Sequence, residues 1–254
     1  MKRGSYGPEA AKLGIIILAA GKGKRMQSDK PKVLHEIMGK PMLQYVLEVG
    51  KRLCPDKIVV VTGYGAEQVH QAFAHEDQVE WVVQEPLLGT GHAVQFAKSH
   101  FEGFVGNILV LCGDVPAITS QTLEKLIESH IAAQTSIHLL TAELENPFGY
   151  GRIITDQSDH VVEIIEEKDA SPDQKKVRLI NTGMGIYEAS FLLTSVFKLQ
   201  SNNQQKEYYL TDLVAMAAKE GFKVGHQKTD NVTETSGVND LEALKRLEDL
   251  MKKR

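Results

Sequence analysis

Between Ile15 and about residue 145 the chain repeats one phrase: a short unbroken apolar run, then a longer stretch whose apolar residues recur every three or four positions. The runs are IIILAA, KIVVVTG, VEWVVQ, NILVLCG and SIHLLTAEL, and the stretches between them include MLQYVLEVGKRL, AEQVHQAF, HAVQFAKSHF and SQTLEKLIESHIAA. A strand with one wet face alternates apolar and polar residues. These runs are apolar at successive positions, the mark of strands covered on both faces. Strand and helix in alternation predict an α/β fold, a Rossmann-like, doubly wound, mostly parallel sheet.

After about residue 145 the pattern changes to shorter strand-like pieces, GRIITD, VVEIIEE and VRLINTGMGIYE, with helical patterns around 189–198 and 208–220. This predicts a smaller α+β part folded over the first. The last stretch, DLEALKRLEDLMKKR, places Leu241, Leu244, Leu247 and Met251 on one helical face, so 237–254 is expected to be a closing or linker helix. Residues 1–13 show no sustained period and read as a flexible leader, which leaves 14–236 as the main domain. No repeat of ~20 to 50 residues and no hexapeptide series is present, which excludes a solenoid.

Composition narrows the function classes. The net charge is -4, from 29 Lys+Arg against 33 Asp+Glu, so there is no overall basic excess to drive nucleic-acid or anionic-membrane binding. The apolar run Ile15–Ala20 is too short for a signal-peptide core or a membrane span, and no targeting segment is visible. Two cysteines, Cys54 and Cys112, form no framework, which fits a reducing compartment; a cytoplasmic location is expected.

The strongest local signal is Leu18-Ala19-Ala20-Gly21-Lys22-Gly23-Lys24-Arg25-Met26, followed by Pro31-Lys32, directly after the first predicted strand. Glycines at the carboxyl end of such a strand let backbone N–H groups approach a phosphate. The dinucleotide fingerprint would need a third glycine where Met26 stands, and the Walker A loop a Ser or Thr where Gly23 stands. A tight turn with solvated lysines would explain the glycines, but not the density of cations beside them.

These residues resemble the signature of the nucleotidyltransferases that join a nucleoside triphosphate to a sugar 1-phosphate. Further motifs follow in order: Gln84-Glu-Pro-Leu-Leu-Gly89-Thr90-Gly91-His92-Ala93, Leu111-Cys-Gly113-Asp114-Val-Pro116, Gly149-Tyr150-Gly151-Arg152, Glu166-Glu-Lys168-Asp169-Ala170, Asn181-Thr182-Gly183, Glu207-Tyr-Tyr209-Leu-Thr211-Asp212 and Gly237-Val-Asn239. Together they resemble the uridylyltransferase domain of the N-acetylglucosamine-1-phosphate uridylyltransferases, from about residue 14 to 250. The resemblance implies the nucleotide-diphospho-sugar transferase type of sheet, and UTP and a sugar 1-phosphate as partners. It also implies Mg²⁺ and a place in peptidoglycan and lipopolysaccharide synthesis.

Carried over residue by residue, Arg25 and Lys32 would be catalytic. Leu18, Ala19, Ala20, Gly21, Gly23, Lys32, Gln84, Gly89 and Thr90 would bind the nucleotide. Gly151, Glu166, Asn181, Tyr209 and Thr211 would bind the sugar, and Asp114 and Asn239 would hold the metal. The Gln84 amide, with a donor and an acceptor, suits the N3–H and O4 edge of uracil. Glu166 and Glu167 are adjacent, so on a strand only one can face the ligand, and the motif favours Glu166. An Asp such as Asp114 at a strand end is otherwise commonly a helix cap. His92 and Cys112 are read as structural. The attacking phosphate is already anionic near neutral pH, with a second pKa of ~6, so no general base is expected.

Two alternatives stand beside this reading: a uridylyl- or thymidylyltransferase acting on another hexose 1-phosphate, and a non-catalytic sugar-nucleotide-binding regulator. The presence of Arg25, Lys32 and Asp114 speaks against the second. Bifunctional members of the family continue into a β-helix of hexapeptide repeats that carries acetyl transfer. With no such repeat before Arg254, no acetyltransferase activity and no oligomeric state are carried over.

Overall fold

The computed structural model describes residues 12–253. Strand β1 (Lys12–Ala19) lies inside the main sheet, and Ile15, Ile16 and Ile17 have no solvent exposure. Lys12 and Leu13, expected in the leader, instead pair with Gly106 and Asn107 as part of β1; the rest of that leader lies outside the described residues. A small β2 (Glu36–Ile37) and β3 (Lys40–Pro41) precede α1 (Met42–Arg52). Then come β4 (Lys57–Thr62), α2 (Ala66–Ala72), β5 (Glu80–Val83), α3 (Thr90–Ala97), β6 (Gly106–Cys112), α4 (Ser120–Ala133) and β7 (Ile137–Glu143). The second half adds β8 (Gly151–Thr155), β9 (Val161–Ile165), β10 (Leu179–Glu188), α5 (Ala189–Ser195), α6 (Asp212–Lys219), β11 (Val224–Lys228) and α7 (Leu241–Met251).

The sheet order is β11-β7-β10-β6-β1-β4-β5. Strands β5, β4, β1 and β6 are mutually parallel, as the unbroken apolar runs predict. Strand β10 departs from expectation. Its carboxyl-terminal half inserts antiparallel between β6 and β7, so the second half of the chain completes the main sheet as well as covering it. Its amino-terminal half runs past β6, bulges between Asn181 and Gly185, and carries the β8–β9 ribbon. The sheet and the smaller part thus share one backbone.

Alternation along β1 sorts its side chains between two cores. Ile15 and Ile17 meet Leu43, Val46 and Leu47 of α1 and Leu123, Leu126 and Ile127 of α4. Ile16 meets Ala93, Val94 and Ala97 of α3, Leu192 of α5 and Leu213 and Val214 of α6 on the other face. Removing each such side chain from water contributes ~1.5–3 kcal/mol. Both faces are therefore dry, the doubly wound arrangement. Among the described residues no helix is long and apolar enough to cross a membrane.

A third small core, Ile37, Met42, Ala117, Val238 and Leu247, lies under α7. The Asp240 carboxylate caps this helix by accepting from the Ala243 N–H at 2.8 Å. Leu247 is 3% exposed, while Leu241, expected on the same packed face, is 51% exposed. The first turn of the helix overhangs the core it closes. Because α7 follows Asn239 directly, its docking fixes where that residue lies. Leu247→Ala is expected to cost ~2–4 kcal/mol in urea unfolding; a loss below ~0.5 kcal/mol would mean that α7 does not pack as described.

Candidate active site

The carboxyl ends of β1, β5 and β6 open onto a cavity of about 540 Å³. Open α/β sheets bind ligands at this edge, where glycine-rich turns expose backbone N–H groups. Leu18, Ala19, Ala20, Gly21, Gly23, Lys32, Gln84, Gly89 and Thr90, the nucleotide-binding set expected from the sequence, all line it, together with Asp114. Lys22, Lys24, Val33, Leu87, Ala93 and Glu207, none assigned a role, complete the wall together with Cys112, read as structural. Arg25 is not in that wall. It lies exposed on the short turn Lys24–Met26.

The glycine loop folds over Lys32. Gly23 has φ +64, and a Cβ there would lie 2.8 Å from the Lys32 Cβ, so the loop closes only on a residue without a side chain. Lys22 rests over the Tyr64 ring at 4.7 Å, within cation–π range. Beneath the loop the Lys32 ammonium, 8% exposed as a residue, donates to the Asp114 carboxylate and, at 2.8 Å, to Asn239 Oδ1. A backbone bond from Val238 N to Asp114 O at 3.0 Å ties the Asn239 segment to the end of β6. Two oxygens thus converge on one positive charge. A carboxylate and an amide oxygen form a hard-donor pair of the kind that suits a divalent ion.

At the other end of the wall Gln84, 4% exposed, places Nε2 3.0 Å from the Gly89 carbonyl and 3.1 Å from His92 Nδ1. Both amide N–H groups thus have partners within the protein, and the carbonyl oxygen is left without one among these contacts. Gly89 has φ +101, and a Cβ on it would lie 2.8 Å from the Tyr208 carbonyl oxygen. The segment around Tyr208 grips this loop from behind: Tyr208 N donates to Leu88 O and Gly91 N to Tyr208 O, both at 2.8 Å. The Thr90 hydroxyl is engaged too, accepting from Leu210 N at 3.0 Å.

The sugar-side residues expected from the sequence lie outside this cavity's wall and form their own cluster. Gly151 pairs with Asn181 across β8 and β10, and a Cβ at Gly151 would be 3.4 Å from both Glu166 carboxylate oxygens. Thr211 Oγ1 donates to Glu166 Oε1 at 2.9 Å, and the Tyr209 hydroxyl to Asp169 Oδ2 at 3.3 Å. Asn181 Oδ1 accepts from Gly183 N at 3.2 Å within the β10 bulge. Glu166 and Glu167, expected on a strand, lie in the turn after β9, and Glu167 turns the opposite way, accepting from Arg152 Nη2 at 2.7 Å and from Gly149 N at 3.2 Å.

Charge is divided along the site. Lysines lie at the glycine loop, and Glu166, Asp169, Glu207 and Asp212 gather at the far end. Burial, with the charges of Asp212, Asp169 and Glu207, holds the Glu166 pKa above the usual carboxylate range despite the Thr211 hydrogen bond. Burial and the Asp114 charge likewise raise Tyr150. Burial pushes the Cys112 thiol up to about 12, so it is no nucleophile at neutral pH.

Residues 15–169 match the MobA-like NTP transferase domain. The protein named bifunctional protein GlmU from Geobacter metallireducens is 44% identical over 228 residues, 90% of this chain and 48% of that protein. Its namesake from Alkaliphilus metalliredigens is 45% identical over 243 residues, 96% of this chain and 53% of that one. The chain thus spans about half the length of the curated relatives it matches. Among solved structures, a candidate glucose-1-phosphate thymidylyltransferase from Bacillus anthracis, in complex with a sucrose, superposes with a TM-score of 0.74 at 19% identity, covering 95% of this chain and 96% of that one. HddC from Yersinia pseudotuberculosis, complexed with GMP-PN, reaches 0.68 at 19% identity, covering 94% and 99%. These two likenesses show the fold.

The acid-rich end has a measurable consequence. Burial, then the charges of Asp169 and Glu163, pushes Asp212 up to about 6 from an ordinary value of 3.8. The folded chain therefore retains a proton that the unfolded chain releases, so this group's stabilising share is full below about pH 4 and is lost as pH rises through about 6. Asp212→Asn is expected to be more stable than the parent at pH 7.5 in urea unfolding, with the advantage gone at pH 4. An Asn variant weaker at pH 7.5 would contradict this electrostatic account.

Proposed function

The chain belongs to the MobA-like NTP transferase family, and on that premise we propose that it transfers the uridylyl group of UTP to N-acetylglucosamine 1-phosphate. An oxygen of the sugar phosphate bonds to the α-phosphorus of UTP as the bond from that phosphorus to the bridging oxygen breaks. UDP-N-acetylglucosamine and pyrophosphate are the products. The observation that carries the reading is the Lys32 ammonium between Asp114 and Asn239, at the floor of a cavity closed by the glycine loop. Likeness to the GlmU proteins supports the choice of nucleotide and sugar.

The chain's residues divide the work. The glycine loop offers backbone N–H groups to the triphosphate, and Lys22, Lys24 and Lys32 supply positive charge where the pyrophosphate leaves. A well-aimed group of this kind is worth ~3 kcal/mol in a transition state. Arg25, exposed at the loop's edge, would reach the triphosphate by a swing of its side chain. Asp114 and Asn239 would hold Mg²⁺, which when bound neutralises charge on the transferred phosphoryl group. Glu166, Thr211 and Asn181 present acceptors and donors to hydroxyls and an acetamido group, with Gly151 and Tyr209 beside them. The carboxylates at that end repel a phosphate, so a sugar 1-phosphate is oriented with its dianion toward Lys32. No base is required, because the nucleophile is anionic. The two free cysteines suit a cytoplasmic setting.

The test is pyrophosphate release with Mg²⁺, crossing UTP, dTTP, CTP and ATP against N-acetylglucosamine, glucose and glucosamine 1-phosphates. Release confined to UTP with the N-acetylated sugar is expected. A different preferred pair would move the specificity, and UTP binding without release would make the chain a binder. Asp114→Asn is expected to fold and to lose ~10²-fold or more in turnover; near-parental turnover in a folded variant would remove Asp114 from the metal site.

A further inference from the structure

The base end of the cavity contains a hydrogen-bond network whose direction can be worked out atom by atom. Gln84 is fixed by its main chain, Gln84 N donating to Thr62 O at 2.7 Å. A carbonyl oxygen only accepts, so the amide atom 3.0 Å from Gly89 O is the NH₂ group. Its second N–H points at His92 Nδ1, 3.1 Å away, and needs a bare nitrogen to receive it. A ring nitrogen that accepts carries no proton, so the ring is a neutral imidazole, and burial, lowering its pKa, keeps it so. Phe96, edge-on at 4.9 Å, and Tyr208, stacked at 5.9 Å, leave the ring little freedom to turn.

We propose that His92 is a specificity-determining positioning residue: by taking up the second N–H of Gln84 it makes the amide present only its carbonyl oxygen to the nucleobase. Such an acceptor selects a base with an N–H at the facing position, as uracil has at N3, over cytosine, which has a lone pair there. The inference rests on the uridylyl-transfer reading for placing the base against Gln84. Turning the amide over to suit cytosine would set Oε1 against two acceptors, the Gly89 oxygen and the His92 nitrogen. Without the His92 nitrogen it would meet one, and discrimination would shrink.

Two substitutions separate this role from simple packing. His92→Phe keeps a ring between Phe96 and Tyr208 but puts a C–H where Nδ1 stood. His92→Asn removes most of the ring but puts Oδ1, an acceptor, at the same branch point. Titration calorimetry of UTP and CTP with Mg²⁺ on the parent and both folded variants gives the ratio of the two dissociation constants. The preference for UTP is expected to fall roughly tenfold in His92→Phe, the loss of about one well-placed hydrogen bond, and to be largely restored in His92→Asn. An unchanged preference in His92→Phe, an equal loss in both variants, or a parent that binds CTP as tightly as UTP would each overturn the proposal. Pyrophosphate release by the parent decides the other question: selective UTP binding without release would overturn uridylyl transfer and leave the base reading intact.

Discussion

The molecule is organised around one buried ammonium. Lys32 lies 82 positions from Asp114 and 207 from Asn239 in the chain, yet its charge is satisfied only where the three meet. A buried charge without a partner costs several kcal/mol, so the fold must deliver both oxygens to the same place. Each comes by a different route. Strand β6, parallel to β1, brings Asp114 beside the glycine loop. Helix α7, docked through Leu247, and the preceding Val238, packed in the same core, bring Asn239 back across the chain. A pair of oxygens able to hold an ammonium can also bind a hard divalent ion, so the constraint that shapes the fold would also serve the proposed chemistry.

The segment from Tyr208 to Thr211 joins the two ends of the site. Its backbone clamps the glycine-rich loop at Leu88 and Gly91, while the Thr211 and Tyr209 hydroxyls reach Glu166 and Asp169. Both clusters are therefore supported by one stretch of main chain. In the proposed reaction the advantage would come largely from holding two anions in line, and a shared support would restrict their relative drift.

Much of this was legible in the sequence because it rests on local rules. Unbroken apolar runs marked β1, β4, β5 and β6, and the glycines after β1 marked the loop that lines the cavity. The insertion of β10 was not legible. Whether LINTGMGIYE pairs with β6, with β7 or with a small separate sheet depends on contacts more than 40 residues away, with partners such as Leu109 and Leu139. Leu241 fits the helical period yet lies outside the packed face, since periodicity cannot tell where a helix overhangs its core. The role of His92 was hidden for another reason: a histidine at a helix start has no signature until the hydrogen-bond partners of Gln84 are known.

Arg152 shows how far an unassigned residue can decide the function of its neighbours. It is 1% exposed, the largest of the fully buried side chains among the described residues, and follows Gly151 in the motif. Its guanidinium binds the Tyr150 carbonyl, the Glu167 carboxylate at 2.7 Å and the Lys175 carbonyl at 3.4 Å. A guanidinium cannot shed its proton to escape burial, so it requires a carboxylate. Glu167, in the turn after β9, meets that requirement, and its neighbour Glu166 is left to accept from Thr211. The division of labour between two adjacent glutamates is thus imposed by the buried arginine, since nothing in either carboxylate distinguishes them.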